Sequence, residues 1–129
     1  MKKILTMALL LIACLSIQAQ DKQAEIKFDK VTYDLGTFSE KNSEQTATFT
    51  FTNVGDAPLV INQAIASCGC TVPIFTKQPI KPGEKGEVKV KYNGAGKFPG
   101  HFKKSITIRT NGKVEMTRLY VEGNMEEAK

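Results

Sequence analysis

Thr46-Ala47-Thr48-Phe49-Thr50-Phe51-Thr52-Asn53 is the stretch whose reading decides the fold. Side chains on a strand alternate between two faces. Ala47, Phe49 and Phe51 therefore face one way and the threonines the other. β-Branched and aromatic residues suit a pleated, half-buried surface, so this segment is the clearest strand in the chain. A strand with one apolar face needs a second layer to cover it.

The same period of two recurs on both sides. Upstream, Ile26 and Phe28, then Val31, Tyr33 and Leu35, alternate with polar residues until Gly36 breaks the run. Downstream, Asn53-Val54-Gly55-Asp56-Ala57-Pro58 is a turn by composition. Leu59-Val60-Ile61 opens the next strand, which runs through Ile65 to Ala66-Ser67-Cys68-Gly69-Cys70-Thr71-Val72-Pro73. The segment 72–80 is broken by Pro73 and Pro79, which restricts it to an edge strand or an extended crossing. Lys81-Pro82-Gly83-Glu84 is a turn, and Val88, Val90 and Tyr92 alternate again. A glycine loop, 93–100, leads into Phe102, Ile106 and Ile108. Asn111-Gly112 signals a tight hairpin, since both residues tolerate positive φ. Val114 to Val121 returns as the last strand, with a slip around Thr117 and Arg118 that suggests a bulge.

No segment after the leader carries a helical period. About seven short strands separated by turns every ~8–12 residues predict an all-β Greek-key sandwich, with 124–129 as a flexible tail. There is no Trp and no widely spaced cysteine pair to join two sheets. Stability must then come from burying Phe, Val, Ile, Leu and Tyr, about 1.5–3 kcal/mol for each side chain fully buried. Antiparallel order puts the turns at Gly55, Gly83 and Gly112 at one end of the sandwich. It puts the cysteine loop and the glycine loop at the other, which would bring Lys97 and His101 toward Cys68 and Cys70.

The first residues, Met1-Lys2-Lys3 and the apolar run Ile4 to Leu15, have the layout of an export signal. The run is shorter than the roughly 20 residues that span a bilayer. Cleavage after Ala19 is the expected processing, which makes 1–19 the leader and the product periplasmic or secreted. The alternative is a lipobox, Leu11-Ile12-Ala13-Cys14, with Cys14 lipidated and anchoring the protein. Loss of Lys2 and Lys3 lowers the formal charge from +5 by two, to +3. With no basic run and no basic stripe interleaved with aromatics, nucleic acid is not an expected partner. No transmembrane segment is expected after the leader.

Cys68-Gly69-Cys70 is where the sequence offers chemistry rather than packing, and four readings stand. The thiols form a disulfide closing a very small loop, which export would favour. They form a redox pair, with Lys97 or His101 lowering a thiol pKa, although no thioredoxin-like βαβ pattern surrounds them. They bind a soft metal such as Cu(I), with His101 as third ligand. Or they pack as free thiols. Zinc would want a fourth ligand that is not in view. His101 is the one histidine, so it would have to serve every role in a hydrolytic triad, and no catalytic residues or required cofactor are expected.

Several of these motifs together resemble a known family. Phe51 to Ile61, Ala66 to Thr71, Pro79 to Glu84 and Gly96 to Ile108 are similar, in that order, to the bacterial domain-of-unknown-function family 1573, common in Bacteroidetes. The resemblance covers roughly residues 25–123. It implies an immunoglobulin-like sandwich similar to major sperm protein and to domains of ciliary and centrosomal scaffolds. It also implies export, and it brings no assigned activity. Where this family often carries Arg, Lys97 stands here, which argues against a bidentate contact at this position. The expectation is an exported binding module for another envelope or secreted protein, engaged through a sheet face, the 72–80 edge or the cysteine-loop end. The competing expectation, of a different class, is a thiol-redox or copper-handling protein working through Cys68 and Cys70.

Overall fold

The computed structural model describes residues 22–128. Residues 1–19, read above as a leader, with Cys14 and the expected cleavage position at Ala19, lie outside the described residues. Eight strands follow: β1 Ile26–Phe28, β2 Thr32–Ser39, β3 Glu44–Asn53, β4 Ile61–Ala66, β5 Thr71–Phe75, β6 Lys85–Asn93, β7 Gly100–Thr110 and β8 Met116–Glu126. They form two four-stranded sheets, β1-β3-β6-β5 and β2-β8-β7-β4, packed as an immunoglobulin-like sandwich. Every pairing is antiparallel except β2 with β8. Among the described residues, no helix is long and apolar enough to cross a membrane.

The strand beyond the expected seven comes from the 26–35 stretch. Ile26 and Phe28 are even-numbered, whereas Tyr33 and Leu35 are odd. That change of parity is where the chain leaves one sheet for the other between β1 and β2. Both halves still pack against the main core.

The core follows the alternation of β3. Ala47, Phe49 and Phe51 are fully buried, against Val88 and Val90 of β6. Ile106 and Ile108 of β7 and Leu119 and Val121 of β8 close the layer from the other sheet. The Phe51 ring meets Phe28 edge to face, centroids 5.5 Å apart. It also lies over Gly86, its register partner on β6, where a Cβ would stand 2.5 Å from the ring.

Four local expectations are corrected. Gly36 does not end its strand. The register of β2 against β8 shifts between Asp34 and Thr37, Gly36 takes φ +73°, and its N–H donates to Asp34 Oδ1 at 2.8 Å. It is a bulge, which a glycine in the left-handed region makes cheap. Asn111-Gly112 is not a tight turn with positive φ, because neither residue adopts one. Thr110 N–H instead donates to Glu115 O, and Asn111 ties the turn to the segment before β4, accepting from Val60 N–H and donating to Pro58 O. The register of β7 with β8 runs unbroken through Thr117 and Arg118, so no bulge stands there. Residues from 124 onward do not fray at once: β8 continues to Glu126, and Met125 is buried because it meets the aromatic cluster under the cysteine loop.

The two ends of the sandwich are sorted as expected. At one end Asn53, fully buried, holds the turns together. Its Oδ1 accepts from Gly55 N–H and Glu25 N–H, and its Nδ2 donates to Ala57 O and Ile80 O. Gly83 N–H donates to Asn53 O, and Lys113 N–H donates to Ala24 O beside them.

Candidate functional site

The cysteine loop is the crossover from one sheet to the other, carrying the chain from edge strand β4 to edge strand β5. The sulfurs of Cys68 and Cys70 are a close pair, with Cα atoms 5.1 Å apart. Backbone bonds fix the loop on both sides. Thr71 donates to Cys68 O through its N–H and its hydroxyl, and Asn93 N–H donates to Cys70 O at 2.8 Å. Cys70 N–H points at Cys68 Sγ, 3.1 Å away. Gly69, between the two cysteines, has no positive φ and nothing within 4 Å of where a Cβ would sit.

The two cysteines are unequally placed. Cys70 is buried, at 7% exposure, in a cluster with Phe38, Tyr92 and Met125, while Cys68 is half-buried at its margin. Tyr92 stacks flat on Phe102, centroids 4.1 Å apart, and burial pushes its phenol above the ordinary value. The floor under the pair is therefore apolar, aromatic and neutral.

Of the two residues expected near the pair, one arrives. Lys97 lines a shallow cleft with Gly69, Cys70, Asn93 and Ala95. His101 does not join it. It alternates with Phe102, which packs inward, so it faces outward on its sheet, exposed, with Nε2 3.8 Å from Glu122. The trio Cys68, Cys70 and His101 proposed for copper is not assembled, and no group of three metal-ligating side chains occurs among the described residues.

Two residues were missed by sequence reasoning. Lys104 interrupts the inward-facing row of β7, between Phe102 and Ile106, opposite the buried Val121. It is half-buried. The β4–β7 register pairs Ala66 with Ile106, and Ser67 N–H donates to Ser105 O. Ser105 N–H donates back to Ser67 Oγ, so the ladder ends at this pair, with Cys68 and Lys104 the next residue on each chain segment. The signal was the parity of Lys104 within an apolar alternation. Phe98, at the tip of the glycine loop next to Lys97, is 97% exposed, and nothing in its sequence context marks it as unburied.

The sheet edges differ in how they are guarded. β1 is three residues long and carries Lys27, and β2 is bulged at Gly36. In β5 the even residues bond to β6, as Cys70 O and Thr76 N–H show, so Thr71, Pro73 and Phe75 face the free edge. There Pro73 has no N–H, and that of Thr71 is spent on Cys68 O. The 72–80 segment is thus an edge, as expected, but a poor template. β4, Ile61-Asn62-Gln63-Ala64-Ile65-Ala66, has neither charge nor proline. Its odd residues bond to β7, so Ala64 and Ala66 offer their backbone N–H and C=O groups to the free edge, beside the exposed Ile65.

Comparison with known proteins places this architecture. The family described as protein of unknown function (DUF1573) matches residues 26–125. No curated protein matches the chain. A protein of unknown function from Porphyromonas gingivalis W83 is similar in structure at a TM-score of 0.65 and 18% identity, over 84% of this chain and 50% of that one, so the chain spans about half its length. The ASH / PapD-like domain 7 of human CEP192 is similar at 0.61 and 8% identity, covering 89% of this chain and 94% of that domain. The periplasmic chaperone SfaE is similar at 0.58 and 6% identity, over 81% of this chain and 59% of that one. At these identities the likeness is one of fold.

Proposed function

We propose that this chain, which belongs to the DUF1573 family, is an exported binding module that takes an extended segment of a partner polypeptide onto the free edge of β4. The observation that carries this is the contrast among the four edges. Exposed edges invite pairing with other chains, and proteins blunt them with charge, proline, bulges or brevity. β1, β2 and β5 each show one of these devices, whereas β4 has only a register irregularity at its start, between Ile61 and Gln63, and none from Gln63 to Ala66. Added strands gain main-chain hydrogen bonds, while alternate side chains set specificity. Gln63 and Ile65 would meet uncharged or apolar positions of such a segment. The naming of SfaE as a periplasmic chaperone is in keeping with a sandwich that handles other polypeptides. Export rests on the reading of Met1 to Ala19 as a leader.

A photo-crosslinking residue at Ile65, introduced in the host, tests the reading. We expect one dominant adduct in the cell envelope. Ala64→Pro, which removes an outward N–H that β7 does not use, should abolish it, while Cys68→Ser/Cys70→Ser should keep it. An adduct indifferent to Ala64→Pro would overturn the assignment to this edge, and one lost with the cysteines would move the contact to the cysteine-loop end.

A further inference from the structure

We infer that Cys68 and Cys70 are a thiol–disulfide exchange site, with Cys68 the accessible sulfur, Cys70 the buried resolving one, and Lys104 the cation that favours the Cys68 thiolate; the substrate is a pair of cysteines in an apolar segment of another polypeptide. This activity is separate from strand pairing at β4 and does not rest on it.

Four observations converge. Cys68 is half-buried at the margin of the cluster while Cys70 is sealed among Phe38, Tyr92 and Met125. An attacking thiol therefore has one sulfur within reach. Cys70 N–H lies 3.1 Å from Cys68 Sγ and is placed to stabilise a charge there. Lys104 stands on the inner face of β7, next to Ser105, which is hydrogen-bonded in both directions to Ser67, the neighbour of Cys68. A lysine beside a sulfur lowers its pKa, and a stabilised thiolate makes the corresponding disulfide more oxidising. Finally, Phe98 stands in solvent next to Lys97, whose backbone N–H donates to Gly94 O in a loop that shares the cleft with Cys70. An exposed aromatic on an ordered turn offers an apolar chain segment a place to rest beside the pair.

The charged and titratable groups around the pair point the same way. β7 contributes Lys104, the glycine loop contributes Lys97, and β6 contributes Tyr92, which burial keeps neutral. β2 and β8 contribute Leu35, Phe38 and Met125, which carry no charge. On β3, Glu44 pairs with Asn93 and belongs to the outward row of its sheet, away from the cluster.

The exchange balances without a further reagent. A thiolate of the partner dithiol attacks Cys68 Sγ. The Cys68–Cys70 bond breaks, and its electron pair leaves on Cys70 Sγ, which takes a proton from solvent. The partner's second thiolate then attacks the partner sulfur of the mixed disulfide and expels Cys68 as its stabilised thiolate. Two electrons pass to the pair, and the partner leaves as a disulfide.

The test is peptide-resolved alkylation of the reduced full chain with iodoacetamide across pH. Cys68 should reach half-maximal rate at least about one unit below the ordinary thiol value of ~8.5, and Cys70 above it. Lys104→Gln should slow Cys68 alkylation at pH 6.5 roughly tenfold, the thiolate fraction lost in a shift of about one unit. Lys104→Arg should restore it, which separates charge from any loss of folding. A Cys68 midpoint at or above ~8.5, a Cys70 that reacts first, or indifference to Lys104→Gln would each overturn the proposal. In a second arm the oxidised chain meets a reduced two-cysteine peptide flanked by leucines or by serines. Faster exchange with the leucine peptide, abolished by Phe98→Ser, is expected. Equal rates would remove the apolar substrate class. Either result leaves the crosslink at Ile65 unchanged, so the two ideas fail separately.

Discussion

At the scale of single residues, Asn53 shows how one polar side chain organises an end of the sandwich. It is fully buried and uses both halves of its amide, accepting from Glu25 and Gly55 and donating to Ala57 and Ile80. Removing a buried partner leaves the groups it satisfied without one, at about 1–3 kcal/mol each. Water entering the vacated space offsets part of that. Asn53→Ala should therefore cost about 3 kcal/mol in urea unfolding, with little change in slope. A loss below ~1 kcal/mol would mean that the turns hold without it. The identity of Asn53 as a turn residue was legible in the sequence. Its burial was not, because a polar residue ending an alternating strand reads equally well as the first exposed position of a loop. Lys104 and Phe98 were missed for a related cause, since side-chain chemistry predicts average burial and these two depart from the average.

At the scale of elements, β3 and β6 are locked by a contact that their sequences give only in part. Phe51 belongs to the apolar face of β3 on parity alone. Its ring fits because β6 presents Gly86 at the paired position, where a Cβ would meet the ring at 2.5 Å. Gly86→Ala should force the Phe51 ring and its Phe28 neighbour to move. Overpacking of a tight core typically costs about 1–3 kcal/mol. Thermal unfolding of the variant should show that loss, and Phe51→Leu in the same chain should recover part of it by making room. Gly69→Ala is the internal comparison: open space surrounds that position and its φ is not positive, so its melting temperature should match that of the parent chain. Strand existence was legible throughout because period-two alternation is a local signal. Turn type at Asn111-Gly112 was not, since the Asn111 side chain is recruited by Pro58 and Val60, more than 50 residues away.

At the scale of the whole molecule, the close cysteine pair contributes little to holding the sandwich together. A cross-link over three residues removes little chain entropy, about 1.6 kcal/mol in the loop-closure description. The main core lies in the layer of Phe49, Phe51, Ile106, Ile108, Leu119 and Val121. Cys68→Ser/Cys70→Ser should then remain folded and lose no more than about 2 kcal/mol of stability, measured by urea unfolding with and without reductant. Wholesale unfolding on reduction would contradict this and make the pair a structural staple.

The sequence by itself determined the class of fold, the alternating core and the sorting of loops to opposite ends. These rest on periodicity, parity and strand order, which are properties of neighbours along the chain. It also singled out Cys68-Gly69-Cys70. Only the tertiary structure decided which side chains surround that pair. His101 turns away to Glu122 while Lys104 takes the inner face, because which face a strand residue meets depends on the register between strands. The tertiary structure likewise decided that β4 and β5 are both edges and that Ala64 and Ala66 of β4 leave backbone groups unused where β5 carries Pro73, since a free backbone group is one that the neighbouring strand has left unused.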